Sequence, residues 1–319
     1  MNKTLVGLLI SAVIFSATSP SYAWTHKKPE PNQIYAKTLW NEQQGEVVNL
    51  VNKIVKLSNE RKVNDLKELY STTFISGDGM DLSAFFEMID ETWKAFPDMK
   101  YSTNILNVTV NGDYATVESL DSASSNNLKT SELTDDKGIL SSNSQGLLYL
   151  RKYGKDWKVV SDKVFSEETV IKYGTSKTLN VNLVTPSQVK AGEDYTASLY
   201  ADIPPGMVAV GSIIREPIAH PSVQSKEVFR QLPPETQVLE RLLKANTSNI
   251  NELTTASVGF SESTEDQFAL PDVKLTGLTV ISKRVNVIPI STFDSKKEPQ
   301  PKQDNAEPEE NANTENQDN

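Results

Sequence analysis

The sequence predicts an α+β protein: helices gathered on a curved antiparallel sheet, followed by a mainly β sandwich with a helical insertion. Three observations carry that prediction. Apolar residues recur at three- and four-residue steps between Val47 and Trp93, the period of an amphipathic helix. From Ile105 the period changes to two, as half-buried strands require. After Lys177 the chain stays strand-like but changes its punctuation, with Pro186, Gly192 and Pro204-Pro205-Gly206 as breaks.

Val47, Val51, Ile54, Val55 and Leu57 place an apolar stripe on the first helix. Asn59-Glu60-Arg61-Lys62 interrupts it, and Leu66, Leu69 and Tyr70 form a second, shorter helix. Thr72–Ser76 reads as a short strand, closed by Gly77-Asp78-Gly79. Asp81 caps a third helix carrying Leu82, Phe85, Phe86, Ile89 and Trp93, and Pro97 ends it. Four strands follow: Ile105–Val110, Tyr114–Ser122, Gly146–Lys152 and Trp157–Phe165. Asn111-Gly112-Asp113 and Gly154-Lys155-Asp156 are tight turns, and polar Asn126–Ser144 is a long hairpin connection. In the second half, Thr178–Val184, Tyr195–Ala201, Leu253–Phe260 and Leu275–Val287 read as strands. Pro234 opens a brief helix with Val238, Leu239, Leu242 and Leu243 on one side. The expected division is a signal peptide at 1–23, a polar leader at 24–33, domains at 34–174 and 177–291, and a disordered acidic tail at 292–319. From Ser295 onward seven acids face three lysines, with two alanines as the apolar content.

The first residues point to a compartment. Lys3 precedes the apolar run Leu5–Phe15, and Ser21-Tyr22-Ala23 supplies small residues before a cut near Ala23. The run is much shorter than the roughly 20 residues that cross a bilayer. The expectation is an exported chain, periplasmic or secreted and not membrane-spanning. Among 319 residues, 42 acids and 32 bases leave a net charge of −10, which repels nucleic acid. Zero cysteine excludes disulfides, thiolate metal sites and thiol nucleophiles.

Ala95-Phe96-Pro97-Asp98 closing the third helix, and Leu148–Val159 (LYLRKYGKDWKV) as a final hairpin, are similar to the NTF2-like superfamily, in its SnoaL-like and ketosteroid-isomerase-like group. The order helix, helix, short strand, helix, four strands is similar too. The resemblance covers about 140 residues. It implies a cone-shaped sheet over helices with a pocket between them, used by isomerases, dehydratases and cyclases, and also by members that only bind or dimerise. Enzymatic members use an Asp in that pocket, often with a Tyr or His. This chain has no histidine between His26 and His220, which removes the His version for this domain. Val189-Lys190-Ala191-Gly192-Glu193 before Tyr195 resembles the entry to the second strand of a bacterial immunoglobulin-like module.

Motifs of other chemistries fail on their spacing. Gly259-Phe260-Ser261-Glu262-Ser263 lacks the last glycine of a nucleophile elbow. Ser187-Gln188-Val189-Lys190 spells S-x-x-K at a strand turn where a helix start is needed. Asp78-Gly79-Met80-Asp81 and Asp135-Asp136-Lys137-Gly138 lack the calcium-loop spacing. No cofactor or metal is expected.

Carboxylate and phenol chemistry remains. In Tyr114–Ser122 the set Ala115, Val117, Ser119, Asp121 is the smaller and more apolar, so it faces the helices and puts Asp121 near a pocket mouth. Phe86, Trp93, Tyr101 and Tyr149 complete the candidate pocket, with Asp121 and Tyr149 as its reactive pair. A buried Asp there has a raised pKa and suits a general base. The competing reading makes Asp121 a strand end and the aromatics core. Both alternate sets of Gly146–Arg151 are apolar, so a homodimer or interdomain packing is expected on the outer sheet face. The leading expectation is a non-enzymatic binding or protein-interaction protein with an unknown small apolar ligand or protein partner. Its rival is a cofactor-independent isomerase, dehydratase or cyclase.

Overall fold

The computed structural model describes residues 40–221, 225–262 and 275–290. The expected signal peptide, the expected leader with His26, and the expected acidic tail lie outside them. The described chain is α+β and mainly β, built on one large, chiefly antiparallel sheet.

Helix α1 (Glu42–Glu60) starts in a capping box: Gln44 N–H donates to Asn41 Oδ1 at 2.9 Å, and Asn41 N–H to Gln44 Oε1 at 3.1 Å. It buries Val47, Val51, Ile54 and Leu57, and Arg61 ends it in the left-handed region at φ 59°. A five-residue helix, α2 (Val63–Lys67), leads into strand β1 (Tyr70–Ile75). Tyr70 therefore belongs to the strand and not to the second helix, because the short helix ends at Lys67 and Tyr70 pairs with the final strand of the meander. Helix α3 (Leu82–Ala95) is capped as expected, Asp81 Oδ1 accepting from Ala84 N–H at 2.9 Å.

The meander strands are longer than their alternation suggests: β2 (Lys100–Asn111), β3 (Tyr114–Ser125), β4 (Gly138–Tyr153) and β5 (Asp156–Gly174). The connection is only 126–137, since Ser142 and Ser144 are buried strand residues. Small hydroxyls on the inner face hid the period there.

The remaining strands are β6 (Val181–Val184), β7 (Gln188–Lys190), β8 (Asp194–Ala201), β9 (Met207–Pro217), β10 (Arg230–Gln231), β11 (Val238–Lys244), β12 (Glu252–Glu262) and β13 (Gly277–Ile288). The expected helical insertion is a correction: Val238–Lys244 is strand β11, paired antiparallel with β8 from Val238↔Tyr200 to Lys244↔Asp194. Leu239 and Leu243 pack inward at a spacing of four, which a short run shares between helix and strand. Strand β9 was not foreseen; MVAVGSIIREP is nearly continuous in apolar residues because both its faces are covered.

The large sheet runs β10-β9-β12-β13-β5-β4-β3-β2, and a smaller one runs β11-β8-β6. Strand β5 is the pivot. Its first half carries β1 in parallel (Tyr70↔Val159), and its second half carries β13 antiparallel from Glu168↔Lys283 to Gly174↔Gly277. Hydrogen bonding thus continues across residues 174–177. Gly174 makes this possible: at φ +58° its backbone lies so close to Thr276 O that a Cβ would sit 2.1 Å away.

Two cores flank this sheet. One holds Val51, Ile54, Phe74, Phe85, Leu148 and Val159 under the helices. The other holds Leu183, Leu199, Ile213, Val258, Phe260 and Val285 between the large and small sheets, a sandwich-like layer. No described helix is long and apolar enough to cross a membrane.

Candidate functional site

Strand β3 buries Ala115, Val117, Ser119, Asp121 and Ala123 on the face that joins the helix-side core. Register then sets the neighbours of Asp121: Thr103 on β2, and Ser144 on β4. Ser144 in turn pairs with Glu167 on β5. A cross-strand row therefore reads Asp121, Ser144, Glu167, and Arg284 of β13 stands next to Glu167 with its Nη1 4.0 Å from Glu167 Oε2.

Asp121 is 4% exposed and accepts one hydrogen bond, from Ser119 Oγ at 3.1 Å on Oδ2; its Oδ1 has no hydrogen-bond partner. Burial pushes its pKa up to about 9, against a small opposing effect of Ser119. At neutral pH this carboxyl is a neutral proton donor, not a base.

Tyr70 Oη also makes no hydrogen bond, and the ring is 3% exposed. Its ring packs edge-on to Phe74 and Phe86, both at 5.2 Å between centroids. Burial, then the charges of Asp162 and Asp121, hold its hydroxyl protonated. Glu167 Oε1 is unpartnered as well. Burial raises the Glu167 pKa well above the usual range; Arg284 opposes this, and Asp78 and Asp162 add to it.

Asp162 accepts from Gly77 N–H at 2.6 Å. Burial lifts it to about 6 despite that bond. Asp78 takes Arg284 in a two-pronged pair, Nη1 to Oδ2 at 3.1 Å and Nη2 to Oδ1, and also accepts from Asn251 Nδ2 at 2.8 Å. Arg284 Nε donates to Asn286 Oδ1 at 2.9 Å. This buried pair ties the β1–α3 loop to β13, and Asn251 ties the same loop to the residue just before β12.

The predicted pocket residues separate into three places. Phe86 is 5% exposed within the aromatic group of Tyr70, Phe74 and Phe85. Trp93 donates from Nε1 to Tyr101 Oη at 3.0 Å, and Arg61 lies over both rings. Arg61 is itself held by the carbonyls of Ser58, Pro97 and Met99, so this group closes the end of α1. Tyr149 is a correction. It pairs with Thr116 and Ser161 while Leu148 and Leu150 enter the core, so it lies on the opposite sheet face from Asp121. Period-two alternation puts neighbours of a core leucine outside.

Tyr70, Asp78, Asp162, Glu167 and Arg284 were not foreseen as a group. Ser166-Glu167-Glu168 looks like the polar end of a strand, but β5 runs on to Gly174 with Glu167, Thr169 and Ile171 inward. Their meeting depends on pairings across the sheet that local patterning does not contain. Among the described residues, no group of three or more His, Asp or Glu side chains is placed to hold a metal ion.

No family model matches the chain, and no curated protein matches it. Solved structures do match. Bd1075 of Bdellovibrio bacteriovorus is 12% identical with a TM-score of 0.29, over 38% of this chain and 39% of its own. A candidate scytalone dehydratase from Novosphingobium aromaticivorans is 15% identical with a TM-score of 0.33, over 38% of this chain and 82% of its own. Kfla4162 from Kribbella flavida is 14% identical with a TM-score of 0.33, over 38% of this chain and 88% of its own. The match thus spans about two fifths of Bd1075. Likeness this remote carries no argument about activity.

Proposed function

We propose that the chain is an exported, non-enzymatic binding protein, with an NTF2-like cone at 34–174 and an immunoglobulin-like sandwich after it. One observation carries the reading: Asp121, the candidate base, is buried and hydrogen-bonded by Ser119 alone, and that burial pushes its pKa up to about 9. A carbon-acid isomerase needs that group ionised near working pH. Tyr149, its expected phenol partner, stands on the other side of the sheet. Tyr101 has its hydroxyl engaged by Trp93. What remains inward is a set of unpaired polar oxygens, which suits holding a molecule better than transforming one.

Native mass spectrometry of the chain purified from its own source tests this. A non-covalently held molecule is expected, returned unchanged when incubated with fresh protein. A bare chain would contradict the reading. Conversion to an isomer or dehydrated product, lost in Asp121→Asn, would replace it with the isomerase, dehydratase or cyclase alternative.

A further inference from the structure

The large sheet is closed off at both of its ends. At one end α1 covers β2, with Asn59 on the backbone of Tyr101 and Gln44 on that of Val108. At the other end β9 is flanked by the two-residue strand β10, and the carbonyls on either side of β10 are taken. Leu232 N–H donates to Ala209 O at 2.9 Å, Ser225 Oγ to Arg215 O at 3.1 Å, and Arg241 Nη1 to Ile213 O. Strand β11 of the small sheet has no such cover. It is seven residues long and pairs on one side only, with β8. Ala201 N–H donates to Gln237 O at 3.1 Å and Ala245 N–H to Glu193 O at 2.9 Å, so the odd positions of β11 bond to β8. The N–H and C=O groups of Val238, Glu240, Leu242 and Lys244 therefore point away from β8. Among the described residues none of them has a hydrogen-bond partner. A bare row of this kind is a template for another strand.

The side chains along that edge say which strand fits. Leu239 and Leu243 turn into the core between the sheets, which leaves the even positions on the outer face. Leu242 is 68% exposed, more than any other large apolar side chain described, and Glu240 and Lys244 flank it, both exposed. The outer row thus reads acid, leucine, base. Turned end for end, it is its own complement. A second copy related by a two-fold axis meets the edge antiparallel, with even positions opposite even positions. Pairing Leu242 with its symmetry mate sets Glu240 directly opposite Lys244 on both sides of the axis. Centring the axis on Glu240 would instead bring two carboxylates face to face, and centring it on Arg241 would set the charges against apolar side chains. On the inner side of the favoured register Arg241 falls opposite Leu243, so no like charges meet there. An unrelated strand would have to repeat this same order of charge and apolar contact.

We propose that β11 is a homodimer edge, two copies pairing antiparallel about Leu242 and joining their three-stranded sheets into one. The contact lies apart from Asp121 and from the outer face of β4, and it stands or falls independently of the binding reading above.

Sedimentation velocity on the chain purified from its own source, and on variants made there, tests this over a dilution series. The salt is held at about 0.15 M, which screens charges more than about 8 Å apart. The expected wild type is a dimer that dissociates on dilution. Glu240→Lys and Lys244→Glu each place like charges opposite one another twice in the dimer, and each should weaken it about tenfold or more. Mixing the two variants restores every opposite-charge pair, because one supplies bases at both positions and the other acids at both. The mixture should therefore regain the dimer that neither variant forms alone. Both side chains are exposed, so far-UV circular dichroism should be unchanged. A monomer at every concentration would overturn the proposal, and so would a mixture no more associated than its components. A wild-type dimer kept by both variants would put the contact elsewhere and overturn it as well. A foreign chain that sediments with the wild type and is lost from both variants would assign the edge to that partner instead of a second copy.

Discussion

At the scale of single residues, the inner carboxyls should govern how stability depends on pH. The folded value of about 9 for Asp121 stands above its ordinary 3.8. Between those values the folded chain holds a proton that the unfolded chain has lost. The contribution is full below about pH 4 and falls by about 1.4 kcal/mol per unit as pH rises toward 9. Asp162 adds a fall of the same sign between 3.8 and about 6, and Glu167 acts in the same direction. Urea unfolding should therefore show greater stability at pH 5 than at pH 8. Asp121→Asn should leave stability nearly unchanged at pH 4 and raise it increasingly above that. A wild type that gains stability with pH across this window would refute the assignment. Of this, the sequence disclosed the face of Asp121 and the direction of its shift. It did not disclose Tyr70, because Leu66, Leu69 and Tyr70 fit a helical step, nor Glu167, because its strand looked finished at Phe165.

At the scale of elements, α1 protects the outer edge of β2. Asn59 pairs with both backbone groups of Tyr101, accepting its N–H at 2.9 Å and donating to its carbonyl at 2.8 Å. Gln44 Nε2 donates to Val108 O at 2.8 Å near the other end of the strand. Side-chain amides thus occupy edge groups that would otherwise pair with another chain. Asn59→Ala should cost about 1–2 kcal/mol in urea unfolding, and size-exclusion chromatography should show added self-association; an unchanged midpoint and profile would refute it. The helices and the β2–β3 and β4–β5 turns were legible because capping residues and turn glycines are local. Strand β11 was not. Its apolar spacing serves either period, and only pairing with β8 decides between them. Strand β9 was hidden differently, since a strand covered on both faces has no alternation to read.

At the scale of the whole molecule, β5 makes one hydrogen-bonded sheet out of sequence halves that read as separate. The Asp78–Arg284 pair then fastens the helix-side loop to β13. Arg284→Leu leaves the buried Asp78 without its cation and should cost about 3–5 kcal/mol, read as a lowered urea midpoint. A loss below about 1 kcal/mol would mean that the pair does not join the layers. Nothing local in 34–174 or 177–291 announces this junction, because its two sides are some 200 positions apart in sequence.

The state of one proton underlies the choice between binding and base catalysis. A carbon-13 NMR titration of the Asp121 carboxyl, assigned by its absence in Asp121→Asn, measures it directly. The structure predicts an inflection near 9. An inflection near 4, that of an ordinary aspartate, would make Asp121 an ionised base at neutral pH and contradict the binding account.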